Sequence, residues 1–165
     1  MTHPKIVVMG VSGSGKSLVG QRLGQQLGVP FFDADDYHSP ANVKKMANGI
    51  PLNDDDRREW LSDLAALIRD NDGLVLACSA LKRVYRDQLR AGDPALQFVY
   101  LKGDFDTIWS RHSRRQDHYF NGQAMLESQF AALEEPGADE AIVVDIDQTP
   151  EAILRQCQEA IAERD

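Results

Sequence analysis

Short apolar runs alternate along this chain with longer segments in which apolar residues recur every three or four positions. The short runs are typical of buried strands, and the longer segments are typical of amphipathic helices. The apolar runs predict five strands, at residues 6–9, 31–32, 74–78, 98–101 and 142–144. Regular alternation of strand and helix indicates an α/β fold built from βαβ units.

The helical segments carry start and stop signals. Apolar residues recur every fourth position after the first strand, and Gly28-Val29-Pro30 ends that helix. A later helix is entered through three aspartates, residues 54–56, which suit a helix N-terminus, and it ends at Gly73. Thr149 and Pro150 open the last helix. The apolar stripes that we expect to form the core are Val19, Leu23, Leu27, Trp60, Leu61, Leu64, Leu67, Ile68, Phe105, Ile108, Trp109, His112, Ile153, Leu154, Cys157 and Ile161.

These elements predict a three-layer α/β/α architecture with a five-stranded parallel sheet. Crossovers between parallel strands are right-handed, and they place helices on both faces of the sheet. At 165 residues, 42% of them hydrophobic, the chain fits one domain spanning residues 1–165. Because ligands of such sheets gather at the carboxyl ends of the strands, we look for the functional residues there.

Charge and composition narrow the class of protein. A net charge of −8 argues against a general nucleic-acid or membrane-surface binder, although local Arg and Lys could still hold a small anionic substrate. No stretch approaches a membrane span, and the amino terminus has no signal-peptide core, so we expect a cytoplasmic protein. Cys78 and Cys157 lack CxxC spacing and are interpreted as structural thiols.

The first predicted strand runs into the phosphate-binding pattern GxxxxGK[ST]. Its residues are Gly10, Val11, Ser12, Gly13, Ser14, Gly15, Lys16 and Ser17. In such a loop successive backbone N–H groups point at a polyphosphate, and the following helix adds the positive end of its dipole. Lys16 would reach the β- and γ-phosphates, and Ser17 would offer its hydroxyl to Mg²⁺. The strand, loop and helix agree, so a Gly/Ser-rich turn that binds nothing is the weaker interpretation.

Two carboxylates follow the second strand. Asp33 and Asp35 are separated by one residue, so along an extended strand end they point roughly the same way. They could divide between Mg²⁺-bound water and an incoming hydroxyl, which phosphoryl transfer requires. The third strand lacks a terminal Asp, which favours Asp33 for the metal. The alternative is that both acids only cap a turn and the next helix.

Two basic series are further candidates. Arg111, Arg114 and Arg115 lie on or just after the helix that follows the fourth strand, where the helical pattern then breaks, and they predict a lid that stabilises the transferring phosphoryl group. The alternative is a solvated basic helix face. The other series follows the third strand and comprises Lys82, Arg83, Arg86 and Arg90; surface solvation explains two or three of its members.

Longer strings of residues resemble the small phosphate-loop gluconate kinases, relatives of shikimate kinase and the nucleoside monophosphate kinases. The likeness extends from Ile6 to the last helix. The strings are Asp33-Ala34-Asp35 with His38, Pro40, Asn42, Lys45-Met46, Gly49, Pro51-Leu52, Asp54, Asp56-Arg57 and Trp60-Leu61; Cys78-Ser79-Ala80-Leu81-Lys82-Arg83 with Tyr85-Arg86-Asp87 and Leu89-Arg90; and Ser128-Gln129-Phe130 with Leu133-Glu134 and Pro136. Where the family commonly has Asp-Gly-Asp this chain has Ala34, which argues against a positive φ at that position.

The resemblance implies a P-loop kinase fold with a helical lid at about residues 111–126 and a substrate-binding insertion at about residues 37–60. It implies ATP-dependent phosphorylation of D-gluconate to 6-phospho-D-gluconate, with Mg²⁺ as cofactor. The product would feed the pentose phosphate or Entner–Doudoroff routes, and the enzyme would be a homodimer. Lys16, Asp35 and Arg114 would be catalytic, with Asp35 as the base, and Arg111 and Arg115 would contact ATP. The sugar-acid site implied by the resemblance comprises Asp35, Arg57, Lys82 and Arg86, with His38 and Lys45 nearby.

Rival functions predict other features. A shikimate or nucleoside monophosphate kinase would share the loop, the sheet and the lid arginines, but the strings above stand where its substrate motifs are expected. A small GTPase would need Asn-Lys-x-Asp near a late strand, and the sequence has none. An ATP sensor without turnover would lose Asp35 or the lid arginines, and both are present.

Overall fold

The computed structural model describes residues 3–50, 52–113 and 122–164, without the side chains of residues 111–113, 122, 123, 125 and 164. Its strands are β1 (Lys5–Met9), β2 (Phe31–Asp33), β3 (Leu74–Ala77), β4 (Gln97–Lys102) and β5 (Ile142–Asp145). All the pairings are parallel, and the order in the sheet is β2-β3-β1-β4-β5. This sheet confirms the five predicted strands to within a residue or two at each end.

The described helices follow the predicted alternation. They are α1 (Lys16–Leu27), α2 (Pro40–Ala47), α3 (Asp54–Asp70), α4 (Arg83–Arg90), α5 (Phe105–Ser113), α6 (Gly122–Ala132) and α7 (Pro150–Arg164), and a 3₁₀ turn spans Ala34–Tyr37. None of these helices is long and apolar enough to cross a bilayer.

Local chemistry explains where the helices begin. Asn53 caps α3 by accepting a hydrogen bond from the backbone N–H of Asp56, whose side chain accepts one from the Asn53 backbone N–H, which completes a capping box. Thr149 Oγ1 accepts a hydrogen bond of 3.2 Å from the backbone N–H of Ala152, and Pro150 follows it at the first position of α7. The sequence predicted both helix starts.

Two cores lie on opposite faces of the sheet. Side chains alternate along β1, so Ile6 and Val8 join the core with α1 and α7, whereas Val7 and Met9 join the core with α3 and α4. The predicted apolar stripes divide between these cores, apart from His112, whose side chain is outside the described residues. Burial accounts for the continuous apolar composition of the central strand, because neither of its faces meets water.

The sheet order brings separate parts of the sequence together. β1 lies between β3 and β4, so residues 10–17 begin at the middle of the sheet. Asp33, the last residue of β2, lies opposite Ala77, the last residue of β3. The segments that follow β1, β2 and β3 therefore share one edge of the sheet.

Both cysteines are buried free thiols. Burial raises the pKa of Cys78 and of Cys157 to about 12, so both remain protonated at neutral pH. This agrees with the interpretation of structural thiols.

Candidate active site

A cleft of about 830 Å³ opens at the carboxyl edge of the sheet. Its walls come from the phosphate loop (residues 10–17), the end of β2, the start of α3, the segment after β3, and α6. The charged and polar side chains among its lining residues include Ser12, Lys16, Ser17, Asp33, Asp35, His38, Asn53, Asp54, Arg57, Lys82 and Gln129. The cleft thus combines the phosphate loop with both predicted carboxylates and with two of the predicted cations, Arg57 and Lys82.

The phosphate loop has the backbone shape that an anion cradle requires. Gly13 and Gly15 have φ angles of +86° and +95°, a region that residues with a Cβ seldom adopt. Gly15 is also the N-cap of α1 and has no side chain to cover the first amides of the helix. The hydroxyl of Ser14 is buried and has no hydrogen-bond partner among the described residues. An oxygen-rich phosphate fits such a loop, because it can accept from donors that the folded chain leaves open.

Lys16 folds back over this loop. Its Nζ donates a hydrogen bond of 3.1 Å to the carbonyl oxygen of Val11. The ammonium group is therefore held at the mouth of the cradle, where a triphosphate would meet it.

Asp33 uses its two carboxylate oxygens differently. Oδ1 accepts a hydrogen bond of 3.0 Å from the backbone N–H of Asp35, and Oδ2 accepts one of 3.1 Å from Ser17 Oγ. Asp33 is the N-cap of the 3₁₀ turn, so the expectation that Asp33 and Asp35 share an extended strand end was wrong. The chain turns at Ala34, whose φ is not positive, as predicted. The alternative interpretation, that these acids only cap a turn, is therefore correct for Oδ1 of Asp33. Its Oδ2 instead faces the phosphate loop.

The Ser17 and Asp33 pair fits the chemistry of magnesium. Mg²⁺ prefers oxygen donors and is usually held by one or two protein groups together with substrate phosphates. No cluster of three or more His, Cys, Asp or Glu that could hold a metal occurs in residues 3–50, 52–113 and 122–164. A hydroxyl and a carboxylate beside a phosphate cradle agree with a metal that is shared with the substrate.

Asp35 lies in the cleft with a perturbed carboxyl group. Its side chain is 82% exposed, and its Oδ1 lies 3.9 Å from Nε2 of His38. Partial desolvation at the wall of the cleft raises the pKa of Asp35 above the ordinary 3.8, the nearby charge of Asp33 raises it further, and Lys16 opposes the rise. A carboxylate with a raised pKa is a better proton acceptor, which suits a general base.

Arg57 and Lys82 belong to a charged cluster of four residues with Asp54 and Tyr85. Arg57 Nη1 donates hydrogen bonds to the carbonyl oxygen of Leu52 at 2.7 Å and to the Tyr85 hydroxyl at 3.1 Å. The Tyr85 hydroxyl donates in turn to Asp54 Oδ1, which also accepts from Lys82 Nζ at 3.2 Å. Both cations also lie over the Tyr85 ring, at 5.4 Å and 5.5 Å from its centroid. The cluster carries two positive charges and one negative charge.

The expectation that Arg86 contacts the substrate was wrong. Its side chain is 1% exposed and does not line the cleft. Its guanidinium donates to Glu140 at 2.8 Å and to the backbone carbonyls of Ala80 and Glu134 at 2.8 and 2.9 Å. Arg86 therefore stabilises the segments after β3 and α6, and it has no group left for a ligand.

His38 lines the cleft but is not a cation. Its ring stacks on Trp60 with centroids 4.1 Å apart, and only 3% of its side chain is exposed. Burial, with a smaller contribution from the charge of Arg57, lowers the pKa of His38 to about 4. At neutral pH this imidazole can only form neutral hydrogen bonds.

Lys45 pairs with a neighbour in the insertion. Its Nζ donates to both oxygens of Asp56, at 3.0 and 2.9 Å, and it is not among the residues that line the cleft. The structure thus joins α2 to α3 through Lys45 and does not bring this cation to the cleft.

Three predicted arginines receive no structural test. Arg114 and Arg115 lie outside the described residues, and only the backbone of Arg111, in α5, is described. The predicted lid at about residues 111–126 falls partly on this segment.

Sequence reasoning missed Asp54 and Gln129 in the cleft and Tyr85 behind it. Asp54 was interpreted as a helix N-terminal acid and as a member of a resembling string, and Tyr85 and Gln129 were only members of such strings. Gln129 Oε1 accepts a hydrogen bond of 2.7 Å from the backbone N–H of Ser12, across 117 positions of sequence. No local pattern signals such a contact, because it depends on how α6 returns to the phosphate loop.

Comparison with known proteins gives the family of this chain. The family model described as "Shikimate kinase" matches residues 12–162. Thermoresistant gluconokinase of Escherichia coli (strain K12) is 51% identical over 165 residues, which cover 96% of this chain and 94% of that protein. The chain belongs to the family of the shikimate kinase model, and within that family to the gluconokinases. Gluconokinase of Arabidopsis thaliana is 36% identical over 178 residues, covering 98% of this chain and 94% of that protein.

Solved structures confirm the predicted P-loop kinase fold. A gluconokinase from Sinorhizobium meliloti 1021 superposes with a TM-score of 0.92 at 41% identity, covering 98% of this chain and 93% of that one. A shikimate kinase from Aquifex aeolicus has a TM-score of 0.63 at 17% identity and covers 97% of each chain, which shows a shared fold alone. The resemblance to gluconate kinases is confirmed, and the alternative of a shikimate or nucleoside monophosphate kinase is not favoured.

Proposed function

We propose that this protein catalyses the transfer of a phosphoryl group from ATP to the terminal hydroxyl of D-gluconate, giving 6-phospho-D-gluconate and ADP. The observation that carries the proposal is the single cleft in which the phosphate loop, Asp35 and the cations of the charged cluster meet. A flexible polyol with one carboxylate needs a base at its reacting end and cationic donors at its other end. Membership of the gluconokinase family supports the same substrate.

The phosphate loop would hold the triphosphate of ATP. Backbone N–H groups of the loop and the start of α1 would donate to the phosphate oxygens, and Lys16 would place its charge on the terminal phosphates. We propose that Ser17 and Asp33 hold Mg²⁺, which would neutralise charge on the phosphates when bound. Positioning and electrostatic stabilisation of this kind supply most of the rate in phosphoryl transfer.

Asp35 is proposed to accept the proton of the attacking hydroxyl. Its carboxylate lies in the cleft near Asp33, and the raised pKa matches the task of a base. We propose that Arg57 and Lys82 hold the carboxylate of the sugar acid at the opposite end, with His38 as a neutral neighbour of the acceptor.

The arginines at positions 111, 114 and 115 complete the proposal. On a helical lid at about residues 111–126, Arg111 and Arg115 would contact ATP and Arg114 would stabilise the charge on the phosphoryl group. Closure of such a lid would exclude water and so prevent loss of ATP by hydrolysis.

The test is steady-state ADP release with Mg-ATP against a panel of acceptors. Gluconate should give a kcat/KM at least about tenfold above other aldonates, and far above shikimate and AMP. A kinase that prefers shikimate or AMP, or that releases ADP at the same rate without any acceptor, would contradict the proposal.

We also propose a homodimer in the cytoplasm, as the family resemblance implies. Sedimentation should then give twice the mass of one chain. A concentration-independent monomer would contradict the dimer and leave the reaction unaffected.

A further inference from the structure

The hydroxyl of Tyr85 connects two cations of the cleft, Arg57 and Lys82, through Asp54. It accepts a hydrogen bond of 3.1 Å from Arg57 Nη1, and it donates to the Asp54 oxygen that accepts from Lys82 Nζ. Asp54 and Arg57 lie on α3, whereas Tyr85 lies on α4 and Lys82 is the N-cap of that helix, so the hydroxyl joins the two helices.

Tyr85 itself is set behind the wall of the cleft. It is 5% exposed and packs in the core against the sheet, whereas Asp54, Arg57 and Lys82 line the cleft. The ring is therefore held by packing, and it offers a fixed surface on which the two cations rest. A role in direct contact with the substrate does not fit this position.

The protonation states suit a rigid network. Desolvation, with the hydrogen bond to Asp54, raises the pKa of Tyr85, so the hydroxyl keeps its proton at neutral pH. The hydrogen bond from Tyr85, with that from Lys82, lowers the pKa of Asp54, and the hydrogen bond to Asp54 raises the pKa of Lys82. All three charges of the cluster are thus present, and their sum is positive.

We propose that Tyr85 is a positioning residue that holds Arg57 and Lys82 as a preorganised clamp for the carboxylate of the acceptor, and so selects acids over neutral polyols. The inference rests on the proposed function. Arg and Lys side chains have many rotamers, and ordering them upon binding weakens affinity. A network that orders them beforehand removes that cost and keeps the site specific for an anion of the right geometry.

The decisive variant is Tyr85→Phe, which keeps the ring and removes the connecting hydroxyl. Isothermal titration would measure gluconate and ATP separately, in the absence of turnover. The Kd for gluconate should rise about tenfold, because Arg57 loses a hydrogen-bond partner and the link through Asp54 to Lys82 is broken, and the Kd for ATP should stay within about twofold. The Kd for ATP also reports that the variant is folded.

Tyr100→Phe is the matched control. Tyr100 is likewise buried, and its hydroxyl donates to a carboxylate, Glu135 Oε1, at 2.9 Å, but it does not line or adjoin the charged cluster. This control should leave both Kd values unchanged. Loss of gluconate affinity in Tyr85→Phe alone supports the clamp.

A double-mutant cycle tests whether Tyr85 acts through Arg57. In an Arg57→Ala background the Tyr85→Phe change should weaken gluconate binding by less than about threefold, because one of the two positioned cations is already absent. Full additivity, an unchanged gluconate Kd in Tyr85→Phe, or equal loss of gluconate and ATP would each overturn the inference. Failure of the unaltered protein to bind gluconate would instead contradict the proposed function.

Discussion

Individual side chains in this protein take their roles from neighbours that are distant in sequence. Asp33 and Asp35 differ by two positions, yet one caps a turn and faces Ser17 while the other lies in the cleft with a raised pKa. His38 would be a pH-sensitive cation in water, but burial against Trp60, with a smaller contribution from the charge of Arg57, lowers its pKa and keeps it neutral. Charge at a residue is therefore a property of the folded site.

Asp35→Asn tests the base. Because Asn cannot accept the proton, turnover should fall by about 10²–10⁴-fold, while the Kd for ATP should change by less than about threefold. The measurement is kcat beside ATP titration. If ATP affinity collapses and turnover at saturation survives, Asp35 belongs to the metal site.

The pH profile gives an independent check of the same residue. A base acts when it is ionised, so kcat/KM should fall as the pH drops through the raised pKa of Asp35, at a higher pH than for an ordinary aspartate. Asp33→Asn removes a charge that raises this pKa, so the fall of kcat/KM on the acidic side of the pH profile should move to lower pH. The rate itself should also fall in this variant. If the acidic side of the pH profile does not move, a group other than Asp35 sets it.

At the scale of elements, a buried ion network holds the loops that form the cleft. Glu140, just before β5, accepts hydrogen bonds from Arg86 and Arg90 of α4. Arg86 also binds the carbonyl oxygen of Ala80, whose φ of +47° is unusual for a residue with a Cβ. The network thus stabilises a strained turn between β3 and α4, next to Lys82.

Glu140→Gln should destabilise the fold. Burial by itself raises the pKa of Glu140, but the hydrogen bonds from Arg86 and Arg90 outweigh it and lower the pKa from 4.5 to about 2. Such a shift corresponds to about 3 kcal/mol of stability, and leaving Arg86 buried without its partner is expected to cost about 3–5 kcal/mol. Urea unfolding at pH 7 measures this difference.

The dependence on pH has a defined sign. A lowered pKa in the folded state contributes stability above the unfolded value of 4.5, and that contribution disappears as the pH falls towards about 2. The difference in the free energy of unfolding between the unaltered protein and Glu140→Gln should therefore become smaller as the pH falls over this range. Glu159→Gln, an exposed change on α7, is the control, and its free energy of unfolding should stay within about 0.5 kcal/mol of that of the unaltered protein. A difference in the free energy of unfolding that does not change with pH would contradict a stabilising role for the ionised Glu140.

At the scale of the whole molecule, the sheet order decides which residues meet. β1 occupies the centre, so the phosphate loop lies between the segments that follow its neighbouring strands, and α6 reaches it through Gln129. The cleft therefore joins residues from the first quarter of the chain with residues near position 130.

Ligand binding should stabilise this whole assembly. ATP at about 100 times its Kd should add about 2.7 kcal/mol to the free energy of unfolding and raise the Tm by several degrees. Lys16→Ala should lose most of that shift and reduce turnover by about 10²-fold or more, because the cation on the terminal phosphates is gone. A full thermal shift in Lys16→Ala, with unchanged turnover, would remove Lys16 from the site.

Local patterns in the sequence were enough to predict the helices, the strands and the phosphate loop. Helix and strand periods are local, so the strands, the helix starts at Asp54 and Thr149 and the run from Gly10 to Ser17 could be recognised from neighbouring residues. The same holds for the kinase family, which its longer strings of residues indicated.

Which charged residues face the cleft depends instead on long-range contacts in the folded chain. Arg57 and Arg86 are both basic residues near a helix start, but one meets the cleft and the other meets Glu140, which reaches α4 from the segment before β5. The roles of Tyr85 and Gln129 arise in the same way. Burial and long-range pairing set the charge and the partners of each group, and neither is encoded in the spacing of residues along one helix.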